Sequence, residues 1–129
     1  MAKKILIVED HNDLRWLLAD ILCLGYETIE AETAEQALEK ATSEHPDLIL
    51  MDIALPEMNG IDAARALKEN PVTADIPIIA LSASDQKLWK KVALQAGMVE
   101  YIQKPFFPNV LKDAIERVLR LISQETDHR

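Results

Sequence analysis

The chain's 129 residues suit one ordinary domain, and 49% hydrophobic with 28% charged residues excludes both a disordered chain and a membrane-embedded one. Fourteen basic against twenty-two acidic residues leave a net charge of -8, which opposes direct contact with nucleic-acid phosphates or anionic lipid. The single cysteine, Cys23, excludes an internal disulfide and reads as a small core residue of a helix in a cytoplasmic protein.

Ile5-Leu6-Ile7-Val8, closed by Glu9 and Asp10, has the length and apolar character of a strand buried on both faces. The basic start before it is followed by too few apolar residues for an export signal. Leu14, Leu17, Leu18 and Ile21 then recur on one helical face, with Gly25 as a stop. Residues 26–31 alternate as a second strand. Thr33 opens a second helix with Ala34, Ala37, Leu38 and Ala41 on one face, ended before Pro46. Leu48 to Met51 forms the third strand, closed by Asp52, and a loop with Pro56, Asn59 and Gly60 leads into a helix over 61–69, ended by Asn70-Pro71. Residues 76–81 read as a fourth strand, 86–96 as a fourth helix stopped by Gly97, and 99–103 as a fifth strand. Leu111, Ala114, Ile115, Val118 and Ile122 keep helical spacing in the last helix. The polar residues after it are expected to fray.

Five strands alternating with five helices predict a doubly wound α/β fold, because each parallel crossover carries the chain back over the sheet right-handedly. The units use the chain from Lys3 to Ile122 with no linker or repeat, so one domain is expected over 1–123 and a polar tail over 124–129.

In open parallel sheets, ligands bind beyond the carboxyl ends of the strands. The polar residues there are Glu9 and Asp10 after the first strand, Asp52 after the third, Ser82 after the fourth and Lys104 after the fifth. Carboxylates about 5 Å apart repel by roughly 3 kcal/mol per pair at an effective dielectric near 20, so three of them require a cation. Hard oxygen donors favour Mg²⁺ over zinc. A cation, a carboxylate nucleophile, a hydroxyl and an ammonium are the parts needed to accept a phosphoryl group. Asp52, flanked by apolar residues and the small Ala54, is the best nucleophile. Glu9 and Asp10 form a pair suited to the metal, and Lys104 and Ser82 are placed to grip phosphoryl oxygens.

The chain resembles the receiver domains of two-component response regulators over nearly its whole length. The resemblance rests on Val8-Glu9-Asp10, on 47–52 followed by Leu55-Pro56-Glu57-Met58-Asn59-Gly60, on Ile78-Ile79-Ala80-Leu81-Ser82-Ala83, and on Ala96-Gly97 leading to Tyr101-Ile102-Gln103-Lys104-Pro105-Phe106. It implies a flavodoxin-like sheet with strand order 2-1-3-4-5. It also implies that Asp52 is the phosphoacceptor, and that Asp10, Asp52 and the Ala54 carbonyl ligate Mg²⁺ while Glu9 acts through a water. Further implied are a Lys104 contact to the phosphoryl group, a switch in which Ser82 moves and Tyr101 swings inward, and a cis Lys104-Pro105 peptide. The partners implied are a histidine kinase or histidine phosphotransferase and a downstream effector protein that reads the face formed by the fourth helix, fifth strand and fifth helix. Such a domain catalyses only its own phosphorylation and dephosphorylation.

Ala34 stands where the family often has glycine, and Met98-Val99-Glu100 replaces the usual small and acidic residues before the tyrosine. Ala54 and Ser84 flank the site and are expected to tune the phosphoryl lifetime. His11, His45 and His128 read as solvated, and Lys87, Lys90 and Lys91 as a solvated helix face. Trp16 and Trp89 fall outside their helices' apolar stripes, which leaves edge packing or partner docking. The rival readings are a receiver cut from a hybrid histidine kinase, a degenerate receiver used only for docking, and a haloacid-dehalogenase-type phosphatase. The phosphatase needs Asp-x-Asp, whereas Ile53 and Ala54 follow Asp52. Nucleotide binding lacks a glycine-rich phosphate loop.

Overall fold

The computed structural model describes residues 2–55, 58–83 and 87–127, with side chains to residue 122. Pro56, Glu57, Ser84, Gln86 and His128, all part of the sequence reading, lie outside the described residues. The elements alternate as β1 (Lys4–Val8), α1 (Asn12–Leu22), β2 (Glu27–Ala31), α2 (Ala34–Glu44), β3 (Leu48–Asp52), α3 (Gly60–Glu69), β4 (Ile78–Ser82), α4 (Lys87–Gln95), β5 (Glu100–Gln103) and α5 (Pro108–Asp127). The strands form one parallel sheet in the order β2-β1-β3-β4-β5, as expected.

Side-chain alternation divides the core into two layers. Leu6, Val8, Ile49, Met51, Ile78 and Ala80 face α2, α3 and α4, while Ile5, Ile7, Leu48, Leu50, Ile79 and Leu81 face α1 and α5. All twelve are fully buried, so their short apolar runs have no polar face to show. Three buried alanines, Ala34, Ala37 and Ala41, let α2 lie close to the sheet. Thr33 caps that helix by accepting from Gln36 N–H, and His45 closes it in a left-handed conformation just before Pro46. Gly97 ends α4 with φ 99°, where a side chain would be strained and would meet Lys68.

Three expectations about helices need correction. Cys23 is exposed, because α1 ends at Leu22 and the next position turns away from the layer that Leu18 and Leu22 enter. Leu17 is 54% exposed; Arg15 takes a place on the buried face instead. The last helix begins at Pro108, whose fixed φ and missing N–H suit a first turn. It also runs past Ile122 to Asp127, since its polar end holds no glycine or proline and each added residue gains a backbone bond. Among the described residues, no helix is long and apolar enough to cross a membrane.

Candidate functional site

The register assembles the site. Val8 pairs with Met51, so the next residues, Glu9 and Asp52, leave the sheet side by side. On the other flank of β3, Asp52 pairs with Leu81, and Lys104 N–H donates to the Ser82 carbonyl at 2.7 Å, bringing the ends of β4 and β5 to the same edge. The Lys104-Pro105 peptide that follows is cis. Beyond β3, Gly60 N–H donates to the Ile53 carbonyl at 2.8 Å, and a Cβ on Gly60 would lie 2.3 Å from the Asp52 carbonyl oxygen. Glycine is needed there because backbone, not a movable side chain, fills the space. Asn59 caps α3 at this turn by accepting from Asp62 N–H.

Glu9 and Asp52 are buried, at 0% and 2% exposure, around one ammonium. Lys104 Nζ lies 2.7 Å from Glu9 Oε1 and 3.4 Å from Asp52 Oδ2. Ala54 N–H donates to Asp52 Oδ1 at 3.0 Å. Burial raises the Glu9 carboxyl, but the hydrogen bonds from Lys104 and His11 outweigh it and hold the group down at about 2. Asp52 is pushed up to about 6, by burial first and then by the Glu9 charge, against the pull of Lys104. The same cation therefore leaves one acid ionised and the other reluctant to ionise.

Carboxylate oxygens of Glu9, Asp10 and Asp52 and a ring nitrogen of His11 lie within 4.8 Å of one another. Asp10 Oδ1 is buried and accepts no hydrogen bond among the described residues. Its one charged contact there is His11 Nδ1 at 3.3 Å, and a buried oxygen without a hydrogen bond amid excess negative charge is what a divalent cation relieves, so the donor set fits one.

The family model of the response regulator receiver domain matches residues 5–116. This chain belongs to the receiver domain family. It is 43% identical over 121 residues to the phosphate regulon regulator PhoB of Pseudomonas aeruginosa, covering 93% of this chain and 53% of that protein, so it spans about half the length of such relatives. It is 41% identical to the chemotaxis protein CheY of Bacillus subtilis, covering 92% of this chain and 99% of CheY. Among solved structures, a CheY-like receiver from Methanospirillum hungatei superimposes with a TM-score of 0.90 at 30% identity, covering 97% and 99% of the two chains. The receiver domain of the sensor histidine kinase PA1611 of Pseudomonas aeruginosa, with magnesium coordinated in its active-site cleft, gives 0.85 at 32% identity over 92% and 98%.

In this receiver, Glu9, Asp10, Asp52, Ser82 and Lys104 all stand at the carboxyl edge of the sheet. Ser82 is buried, while Tyr101 on β5 is partly buried and packs against the layer under α2, α3 and α4. His11, set aside as solvated, is 72% exposed yet its Nδ1 lies 3.0 Å from Glu9 Oε2 and 3.3 Å from Asp10 Oδ1. Those contacts raise its pKa, led by the hydrogen bond to Glu9. Its place directly after two acids was the available signal. Trp89, 42% exposed, lines a cleft of about 340 Å³ with Ile53, Ala54, Asn59, Ser82 and Ala83, and so borders the site instead of packing at a remote edge. Arg15 carried no prediction at all.

Proposed function

We propose that this receiver takes a phosphoryl group from a phosphohistidine onto Asp52 and that a partner protein reads the phosphorylated state. The observation that carries the reading is the buried Asp52 carboxylate, open to a neighbouring ammonium at 3.4 Å and flanked by two further acids at a sheet edge. An Asp52 oxygen attacks phosphorus as the donor's P–N bond breaks, and the departing imidazole keeps the electron pair and takes up a proton. Lys104 turns from the carboxylates to the new phosphoryl oxygens, and the Ala54 N–H steadies Asp52.

Asp10, Asp52 and the Ala54 carbonyl would hold Mg²⁺, with Glu9 engaged through a water. When bound, the metal lowers the cost of ionising Asp52 and offsets charge on the phosphoryl oxygens. Ser82 is the hydroxyl that bonds the phosphoryl group, and Tyr101 follows it inward, biasing the α4-β5-α5 face toward an effector. The donor is a histidine kinase or histidine phosphotransferase in the cytoplasm, and the net charge of -8 directs recognition to proteins instead of nucleic acid or membrane. The receiver is a signalling module whose chemistry is confined to its own phosphorylation and dephosphorylation, in a domain over 1–123.

A radiolabelled transfer profile against a panel of autophosphorylated histidine kinases tests the assignment. The parent is expected to take label only with Mg²⁺, and Asp52→Asn to take none; equal labelling of that variant sinks the role of Asp52. For the switch, beryllium fluoride with Mg²⁺ is expected to shift the NMR resonances of Ser82 and Tyr101. Unmoved resonances at both, in a protein that binds the mimic, would rule the switch out.

A further inference from the structure

We propose that Arg15 is a positioning residue of the cation site: by gripping the Glu9 carbonyl it sets the aim of Asp10. The inference rests on reading Glu9, Asp10 and Asp52 as that site. Arg15 is only 5% exposed, an unusual state for arginine unless its donors are all engaged. Nη1 donates to the Glu9 carbonyl at 3.0 Å, Nε to Glu30 Oε1 at 3.0 Å, and Nη2 to Asn12 Oδ1 at 2.6 Å and Glu32 Oε1 at 3.3 Å.

These bonds converge on one peptide unit. Glu9 N–H already donates to the Ala31 carbonyl at 3.1 Å, so with Arg15 on its carbonyl, Glu9 is held on both sides where the chain leaves β1. The peptide between Glu9 and Asp10 is planar, and fixing its carbonyl also fixes the plane from which Asp10 departs. That matters because Asp10 Oδ1 accepts no hydrogen bond among the described residues, and its ion-pair contact, His11 Nδ1 at 3.3 Å, comes from a 72% exposed ring that holds it less firmly than the backbone does. The backbone aims the oxygen, and Arg15 holds the backbone.

A guanidinium beside a cation site carries an electrostatic cost, and the sequence supplies the remedy. Glu30 ends within β2 and Glu32 lies just beyond it, on the opposite side of β1 from β3 and Asp52. Their carboxylates balance Arg15 from the side away from the site. A lysine would keep the charge but could not reach the Glu9 carbonyl, Asn12 and Glu30 from one planar fork.

Calorimetric titration of the full chain with MgCl₂ tests this, alongside urea unfolding of each protein. Arg15→Lys is expected to unfold cooperatively yet bind Mg²⁺ roughly tenfold more weakly, the usual loss when a group supporting a metal ligand is removed. Glu30→Gln with Glu32→Gln is expected to weaken binding as well, because the guanidinium charge is then unbalanced. Arg15→Lys with the parent's Mg²⁺ affinity, even at reduced stability, would show that Arg15 only packs α1 and overturn the proposal. A parent that binds no Mg²⁺ would instead overturn the cation-site reading on which it stands.

Discussion

Lys104→Met is expected to lower stability by about 3–5 kcal/mol at pH 8 in the absence of divalent cation, the usual cost of stripping one partner from a buried ion pair. Glu9 is wholly buried, and Lys104 is the donor to its Oε1, while His11 engages only Oε2. Methionine fills similar space and leaves Oε1 and Asp52 with no ammonium. The pH dependence follows from the pKa of Glu9, held at about 2 in the fold against about 4.3 in an unfolded chain. A depressed carboxyl contributes stability above its unfolded value and loses it as pH falls through the folded one. The deficit of the variant is therefore largest above about pH 5 and shrinks below pH 4. Added Mg²⁺ is expected to restore part of it by supplying another positive charge. Urea midpoints at pH 8 and pH 3, each with chelator or MgCl₂, measure all three effects; a midpoint unchanged at pH 8 would mean that Glu9 does not depend on Lys104.

The parts of this fold that were legible in the sequence are those where burial acts on both faces at once. The runs from Ile5, Leu48 and Ile78 are fully buried, and each announced a strand because nothing in it had to meet water. The acids that close the first two, and Ser82 after the third, stood out for the same reason. Strand order came from the resemblance, since no residue pattern within a parallel strand names its neighbour. Helix details were harder, because a helix buries one stripe and residues at its margin go either way. Leu17 has the chemistry of the core but the exposure of a surface residue, and Arg15 is the reverse. A signal for Arg15 was present: with Leu18 and Leu22 it forms an i, i+3, i+7 series on the buried face. Reading arginine as surface by default hid it, and only its four acceptors explain its position.

Asp52→Asn is expected to make the protein more stable than its parent at pH 8 without metal, although it removes the proposed phosphoacceptor. The Asp52 carboxyl titrates near 6 in the fold against 3.8 for an ordinary aspartate. Between those values the folded protein holds more proton than the unfolded chain, so stability falls as pH rises through the window and the full cost is carried above it. At about 1.4 kcal/mol per pKa unit, the cost is about 2–3 kcal/mol. Asparagine carries no charge to desolvate, can still accept from the Ala54 N–H, and leaves Lys104 its bond to Glu9. The two proteins should converge near pH 4, and Mg²⁺ should stabilise the parent more than the variant, closing the gap at pH 8. Thermal unfolding across pH 4 to 8 checks this, and a variant less stable than its parent at pH 8 would contradict it. Free energy held in an ionised Asp52 is available to whatever neutralises it. Burial of this carboxylate therefore weakens the resting fold and, by the same interaction, strengthens its response to a cation.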